Sequence, residues 1–362
     1  MDRKDRKILV LMSGGVDSAV AAAILRDQGY EVTGVTLNLW GGKDQGSSSH
    51  RPDNFEKNVE DARRVADELK IPHRVLDLRD RFLEEIVEGF VGEYARGRTP
   101  NPCVICNERV KFRSLLTLAE ELDVTLLASG HYARIGRGGD GQPFLRKARD
   151  TSKDQSYFLY RLPREILART IFPLGEMTKD EVRSLATRMD LSVADRDDSQ
   201  EICFIPGGDL AGFLEARLFP GEHRPGIIKS TGGEPLGHHR GIHLFTIGQR
   251  RGLGVATGKP RYVVAMEAGT GTILVGDDEE LFSSAMDIVD LSWADGAPGE
   301  GVFKAKVRIR YRHREAPAEI AVSRDRVTVT FDEPQRAITP GQSGVFYDGD
   351  RVLGGGIIDR LA

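Results

Sequence analysis

Six consecutive residues, Ser13-Gly14-Gly15-Val16-Asp17-Ser18, sit where a short apolar run, Lys7 to Met12, hands over to an alanine-rich run, Ala19 to Gln28. The first run has strand character and the second has helix spacing, so the six form a strand-to-helix corner. A phosphate placed there would meet unpaired backbone N–H groups and the positive end of a helix, with no side chain on Gly14 or Gly15 to block it. The hydroxyls of Ser13 and Ser18 add donors, and Asp17 can hold a magnesium ion or fix the loop. The corner lacks the Gly-Lys-Ser/Thr of a loop that cuts a β–γ bond and the GxGxxG of a dinucleotide site. The chemistry it suits is that of a nucleotide phosphate handled in another way.

A second group of reactive residues lies in Thr99-Pro100-Asn101-Pro102-Cys103-Val104-Ile105-Cys106-Asn107. The two prolines are expected to hold this stretch extended before a helix that opens near Glu108. Cys106 then falls close to a helix N-terminus, where the macrodipole favours a thiolate. A CxxC alone fits a redox pair, half a zinc site or a nucleophile. The third cysteine of the chain, Cys203, ends a polar run, Asp197-Asp198-Ser199-Gln200-Glu201-Ile202-Cys203-Phe204.

A third pattern is one of charge. Lys304, Lys306, Arg308, Arg310, Arg312 and Arg314 recur at every second residue, with Ala305, Val307, Ile309, Tyr311 and His313 between them. On a strand, that period puts all six cations on one face, a stripe suited to nucleic-acid phosphates.

The elements that must position these residues follow from the rest of the chain. Strand runs at Glu31 to Trp40, His73 to Leu78 and Thr125 to Ser129 alternate with helical runs at Phe55 to Leu69, Arg81 to Arg96 and Glu108 to Leu122. That alternation implies a parallel sheet covered on both faces, with ligands at the carboxyl ends of its strands, where Ser13 to Ser18 and Gly130-His131 both fall. Gly41 to Asn54 reads as a surface loop, and Lys153 to Met189 is expected to be mostly helical, broken at Phe172-Pro173-Leu174-Gly175. Beyond Pro206, Gly and Pro become frequent and short alternating runs such as Tyr262 to Met266 and Thr272 to Val275 replace helices. The expected organisation is an α/β domain over residues 1–206, a small β-rich domain over 207–284 and a second over 285–362.

The 362 residues carry 51 Lys and Arg against 55 Asp and Glu, a net charge of −4 that gives no global hint of a polyanion partner. Three cysteines exclude a disulfide framework. The charged opening, Met1-Asp2-Arg3-Lys4-Asp5-Arg6-Lys7, reads as neither a signal nor a transit peptide, and no apolar run spans a bilayer, so a cytoplasmic protein without membrane association is expected.

The phosphate corner resembles the pyrophosphate loop (PP-loop) of the ATP-pyrophosphatase superfamily. Taken with Thr99-Pro100-Asn101-Pro102, Cys106-Asn107, Gly130-His131-Tyr132-Ala133-Arg134, Lys153-Asp154-Gln155-Ser156-Tyr157-Phe158-Leu159, Ser199-Gln200-Glu201-Ile202-Cys203-Phe204, Arg310-Tyr311-Arg312 and Pro340-Gly341-Gln342, it is similar over the whole chain to the tRNA-specific 2-thiouridylases. The resemblance implies a parallel sheet of adenine-nucleotide α-hydrolase (PP-loop) type followed by two small β-rich domains, the last a β-barrel. It implies ATP with Mg2+ as cofactors and replacement of the C2 oxygen of the wobble uridine, position 34 of tRNA, by sulfur. Met12, Ser13, Gly14, Gly15, Val16, Asp17, Ser18, Leu37 and Gly130 would bind ATP. Asn101, Pro102 and Cys103 would line the target-base pocket, while His131, Lys153, Asp154, Gln155, Arg310, Tyr311 and Gln342 would contact the tRNA.

By the same resemblance Cys203 carries the incoming sulfur as a persulfide and Cys106 releases it, as hydrosulfide or through a Cys106–Cys203 disulfide. The implied partners are the tRNA anticodon stem-loop and an upstream sulfur-relay protein or cysteine desulfurase. Some members of the family have Asp where this chain has Cys103, which leaves a second implication open: Cys103, Cys106 and Cys203 as ligands of an iron–sulfur cluster with one open iron. A zinc site of the three cysteines with His131 is the lesser alternative, since nothing in the reaction requires it.

Overall fold

The computed structural model describes residues 6–41, 54–197, 202–218, 225–256, 258–294, 296 and 298–361. Most of the expected loop from Gly41 to Asn54, and Asp198 to Glu201 of the run leading to Cys203, lie outside the described residues. The packing divides the chain into two units, one formed by residues 1–86, 103–200 and 350–352 and the other by 87–102, 201–349 and 353–362.

The first unit is built on a parallel five-stranded sheet. In chain order its elements are β1 (Lys7–Leu11), α1 (Val16–Asp27), β2 (Glu31–Asn38), α2 (Asn54–Leu69), β3 (His73–Asp77) and α3 (Arg79–Phe82). After α4 (Glu88–Ala95), which packs with the second unit, come α5 (Pro102–Ile105), α6 (Phe112–Glu121), β4 (Leu126–Ser129), β5 (Ala133–Arg137), β6 (Pro143–Lys147), α7 (Ser156–Leu159), α8 (Arg164–Arg169), β7 (Thr170–Ile171) and α9 (Lys179–Arg188).

The strand order is β3-β2-β1-β4-β7. β1 pairs in parallel with β2 on one side and with β4 on the other, so the order reverses at β1 and opens a crevice beyond its carboxyl end. Ile8, Leu9 and Val10 are wholly buried, as expected of a central strand covered on both faces. One face packs Ile8, Val10 and Met12 against the alanines of α1 and against Val65 of α2 and Val182 of α9. The other face packs Leu9, Val35 and Leu37 against Leu115 and Leu118 of α6. Alanines on α1 let the helix axis lie close to the sheet, and that fixes where its N-terminus points.

One short element was not expected. The region from Lys153 to Met189 is not all helix, because Thr170–Ile171 adds a fifth strand beside β4. Two residues are too few to show a period of two. α9 begins with a full capping box, in which Thr178 accepts from the Glu181 N–H and Glu181 accepts from the Thr178 N–H.

The second unit contains α10 (Leu210–Glu215) and a four-stranded sheet of β8 (Gly226–Ser230), β9 (Pro235–His239), β10 (Tyr262–Glu267) and β11 (Thr272–Gly276), in the order β10-β11-β8-β9. It continues with β12 (Phe282–Trp293), β13 (Gly301–Arg308), β14 (Ala316–Ser323), β15 (Arg326–Arg336), β16 (Ser343–Asp348) and β17 (Arg351–Leu361). These six run in the order β12-β15-β14-β13-β16-β17, and pairing of β12 with β17 closes them into a barrel. Its interior is filled by Met286, Ile288, Val307, Ile320, Val329 and Phe346, among others.

Candidate active site

The phosphate corner leaves β1 at the reversal point of the sheet. Met12 continues the strand, its N–H donating to the Val35 carbonyl at 2.8 Å and its carbonyl accepting from Thr36 Oγ1 at 2.7 Å. Ser18 then closes the loop on itself: its Oγ accepts from the Ser13 N–H at 3.1 Å and donates to the Gly15 carbonyl at 3.0 Å. Gly14 takes a φ of +75°, and a Cβ on it would run into the backbone carbonyl of Asn58 in α2. Only glycine fits both demands. Gly15 is the N-cap of α1 and brings no side chain to cover the first-turn N–H groups. These donors therefore face the crevice, the arrangement that binds a phosphate.

Asp17 is hydrogen-bonded from two sides. Lys179 Nζ reaches both of its carboxylate oxygens, at 2.7 and 2.9 Å, and the Tyr132 hydroxyl donates to Oδ1 at 2.8 Å. Lys179 is buried, so the pair is less screened by solvent and its attraction exceeds that of a surface ion pair. Gly130 stands behind the loop: a Cβ there would lie 2.7 Å from the Asp17 carbonyl carbon and 2.8 Å from the Ser18 nitrogen. Leu37, expected at the ATP, is buried in the core beside α6, beyond the end of the β1 pairing.

The cysteines differ from expectation. The helix opens at Pro102 and not near Glu108, which places Cys103 in the first turn and Cys106 beyond it. Proline at the first helical position explains the early start, since the N–H it lacks has no intrahelical partner there anyway. Cys106 is buried and begins a π-helical stretch, Cys106–Lys111, so the helix-end argument for its thiolate does not hold. π-turns of this kind are frequent at functional sites. Cys103, which inherits the helix-end position, reaches the surface, yet burial around its sulfur pushes the thiol up, with the Lys111 ammonium pulling the other way. Among the described residues none of the three cysteines is in a disulfide, so no Cys106–Cys203 bond is formed. Among the described residues no three His, Cys, Asp or Glu side chains assemble a metal site, so neither the cluster nor the zinc alternative has a ligand set.

In the second unit, Cys203 is exposed on a turn closed by the Ile205 N–H donating to the Ile202 carbonyl at 3.0 Å. Its neighbour Phe204 anchors that turn, with ring centroids 5.2 Å from Phe90 of α4 and 5.5 Å from Phe213 of α10. The run after α4 is clamped as well. The Thr99 N–H donates to the Pro340 carbonyl at 2.9 Å, and Gln342 Nε2 donates to the Thr99 carbonyl at 2.8 Å. Arg98 donates to the Asp359 carboxylate at 3.0 Å. Gln342, expected at the tRNA, has its amide nitrogen engaged in holding the lead into half-buried Asn101 and buried Pro102.

Several other residues expected at the tRNA take part in the internal packing. Asp154 is buried and accepts from the Ala148 N–H, the Ser156 N–H and the Ser156 hydroxyl, so it is a turn former and not a surface contact. Gln155 pins Tyr132 by a reciprocal pair, its Oε1 accepting from the Tyr132 N–H at 2.9 Å and its own N–H donating to the Tyr132 carbonyl at 2.8 Å. Lys153 is half-buried at the start of this turn. His131 bonds Ser129 Oγ through Nδ1 at 2.8 Å and packs on Phe112 and Phe172. Burial, with the Lys111 charge adding to it, pushes its pKa down to about 3.

His131 is therefore neutral at physiological pH. Protonation is disfavoured in the fold and easy in the unfolded chain, so the stability it supports is full above about pH 6.5 and is lost as pH falls toward 3. The His131→Gln protein should lose less stability than the wild type between pH 6.5 and 4 in urea melts. Parallel acid limbs for the two proteins would contradict this.

The cationic stripe is the clearest correction. β13 ends at Arg308, and the chain turns there, the His313 N–H donating to the Arg310 carbonyl at 3.0 Å. Lys304 and Lys306 are exposed on the outer face, but Lys304 stands opposite Glu319. Arg308 is buried against Glu315 at 3.3 Å and over the Tyr347 ring at 5.0 Å. Arg310 and Tyr311 are half-buried turn residues, and Arg312 and Arg314 are exposed beyond them.

Lys179, which grips Asp17, is a residue of the loop's surroundings that motif reading missed, and Tyr132, though inside the Gly130 to Arg134 motif, was given no role there. Thr178-x-x-Glu181 announces the start of α9, but nothing local shows that the next lysine reaches back 162 residues to Asp17.

A glycine loop without a phosphate-binding lysine, at the reversal point of a parallel sheet and followed by two small β structures, defines a nucleotide-using enzyme of the HUP-domain class. Family models match in the same order: a tRNA methyl transferase HUP domain over residues 6–207, a tRNA methyl transferase PRC-barrel domain over 212–277 and an aminomethyltransferase beta-barrel domain over 283–358. The chain belongs to the family of tRNA-specific 2-thiouridylases MnmA. It is 49% identical to the member from Syntrophotalea carbinolica, with 99% of this chain and 100% of the relative covered. It is 48% identical to that of Geobacter metallireducens, covering 99% and 98%, and 45% identical to that of Symbiobacterium thermophilum, covering 98% and 92%.

Proposed function

We propose that this chain catalyses ATP-dependent 2-thiolation of the wobble uridine of tRNA. The observation that carries the reading is an intact phosphate loop, with its first-turn N–H groups uncapped, in a chain that matches the thiouridylase family from end to end. In this reaction the uracil O2 attacks the α phosphorus of ATP, the bond to the β-phosphate oxygen breaks, and pyrophosphate leaves. The uncapped N–H groups of α1 stabilise the charge that gathers on the departing phosphates. Adenylation converts oxide, a hopeless leaving group, into AMP.

The sulfur step uses Cys203, exposed and on an anchored turn, as the persulfide carrier. Its terminal sulfur attacks C2 and AMP departs. The Cys106 thiolate then attacks Cys203 Sγ, which frees the thiocarbonyl and leaves a disulfide that a thiol reductant reopens. In the alternative order Cys106 attacks first and liberates hydrosulfide, which adds to C2. Cys106 must become accessible for either course, since it is buried in the resting fold. Asn101, Pro102 and Cys103 form the target-base segment, and Arg310, Tyr311 and the exposed Arg312 and Arg314 offer donors to the anticodon stem-loop.

Magnesium would accompany ATP through its phosphates, since Asp17 is already engaged by Lys179. The upstream donor is a sulfur-relay protein or cysteine desulfurase that loads Cys203. The labour divides into adenylation over residues 1–206, a connecting domain over 207–284 and a tRNA-holding barrel over 285–362. Among the described residues no helix is long and apolar enough to cross a membrane. The cytoplasm, where tRNA and reducing thiols are found, is the proposed location.

Purified protein given ATP, a persulfide donor and unmodified tRNA should form 2-thiouridine at position 34, seen by mercury-gel retardation and nucleoside analysis, with one pyrophosphate per thiolation. A tRNA that stays unthiolated while pyrophosphate is released into another product would point to a different adenylating activity.

A further inference from the structure

Thr36 and His73 lie outside every motif considered so far, yet they are joined to the phosphate loop. Thr36 is buried on β2, and its Oγ1 lies 2.7 Å from the Met12 carbonyl oxygen and 2.8 Å from Nε2 of half-buried His73 on β3. A hydroxyl carries one proton, and a carbonyl can only accept. Thr36 therefore donates to Met12, and His73 Nε2 is the protonated nitrogen that donates to Thr36. Burial, with the Arg63 charge adding to it and Asp67 opposing, lowers the His73 pKa, so the ring is the neutral Nε2–H tautomer at physiological pH.

The carbonyl that Thr36 holds belongs to the same peptide as the Ser13 N–H. Among the described residues no peptide is cis, so the two groups point in opposite directions. The N–H donates to Ser18 Oγ at 3.1 Å, and Ser18 Oγ donates to the Gly15 carbonyl at 3.0 Å. One series of hydrogen bonds thus runs from β3 through β2 and the peptide that leaves β1 into the first turn of α1. The β1–β2 register ends at Leu11 and Val35, and beyond it the Thr36 side chain takes over the pairing.

Gly34 makes room for this arrangement. His73 stands opposite Gly34 in the β2–β3 register, and a Cβ on Gly34 would lie 3.2 Å from His73 Cδ2 and run into the Met12 thioether. With no side chain there, the ring reaches past Gly34 to Thr36, two residues on and on the same face of β2.

We infer that Thr36 and His73 are positioning residues that set the Met12–Ser13 peptide, and through Ser18 the first-turn N–H groups of α1, for the phosphates of a bound nucleotide. The inference deepens the function proposed above and rests on its phosphate loop. Hydrogen bonds in series polarise one another, so a loss at one link is felt at the next.

The test needs neither tRNA nor sulfur, so it stands apart from whether the protein thiolates. Affinities for ATP and for adenosine, which lacks phosphates, are measured by calorimetry on variants whose folding is checked by circular dichroism. Thr36→Val, which keeps the shape and removes the hydroxyl, should weaken ATP binding about tenfold and adenosine binding by less than about twofold. Thr36→Ser, which restores the hydroxyl, should bring ATP affinity back to within about threefold of the wild type. His73→Phe should weaken ATP binding about threefold, and adding it to Thr36→Val should bring no further loss, because the two act in series. Unchanged ATP affinity in Thr36→Val, equal losses for ATP and adenosine, no recovery with serine, or additive losses in the double variant would each overturn the inference. If Thr36→Val fails to fold, His73→Phe stands in, and ATP affinity unchanged there is the overturning result. A wild type that binds no ATP would overturn the inference together with the phosphate-loop reading, whereas bound ATP indifferent to both residues overturns it alone.

Discussion

The Cys203→Ala protein should form thiolated tRNA at least about a thousandfold more slowly than the wild type while binding tRNA within about twofold, because loss of a covalent nucleophile removes the step itself. The side chain is exposed, and the turn beneath it is held by buried Phe204 and Ile205, so removing one sulfur leaves the anchoring intact. Surface substitutions of this kind change stability within about 0.5 kcal/mol. Adenylation precedes sulfur transfer and does not use the thiol, so pyrophosphate release should persist and become uncoupled from product. Thiolation at the wild-type rate in this variant would remove Cys203 from the sulfur path. Loss of tRNA binding in parallel would assign it to holding the substrate instead.

Gly130→Ala should lower kcat/KM for ATP in pyrophosphate release by about a hundredfold, since displacing a reacting group by about 1 Å has that effect. The added methyl would lie within 2.9 Å of three backbone atoms of Asp17 and Ser18, none of which can swing aside as a side-chain tip could. The start of α1 must therefore shift, carrying the phosphate N–H groups with it, and overpacking of this type costs about 1–3 kcal/mol in stability. Gly139→Ala is the matched control, since a Cβ there meets nothing within 4 Å. Wild-type ATP kinetics in Gly130→Ala would show that the loop tolerates displacement and that its N–H geometry does not set the rate.

The phosphate corner was legible because everything that makes it is local: two glycines, two serines, a strand before and a helix after. The helix bearing the cysteines was misplaced because Pro100 and Pro102 carry the same signal for extended chain and for a helix start, and only packing decides between them. The alternation from Lys304 to Arg314 holds along β13 only as far as Lys306, where the outer face carries Lys304 and Lys306, and Arg308 is already buried. It fails beyond Arg308 because the period of two has no meaning in the turn that follows. Asp154 shows a different limit: an acid in a polar string reads as exposed, and only the surrounding N–H groups reveal that it is enclosed. The Lys179–Asp17 and Arg196–Asp61 pairs, separated by 162 and 135 residues, exist only once the sheet is assembled.

The clamp on Thr99, made by Pro340, Gln342 and the neighbouring Arg98–Asp359 pair, ties the stretch just before Cys103 to the last tenth of the polypeptide. A nonsense mutation within the barrel but upstream of Pro340 would therefore yield a truncated product that keeps the phosphate loop but lacks the clamp on its approach to the reactive cysteines. Dissecting the gene at the apparent end of the α/β region would not isolate a working half, and complementation between separately expressed fragments should depend on this clamp re-forming in trans.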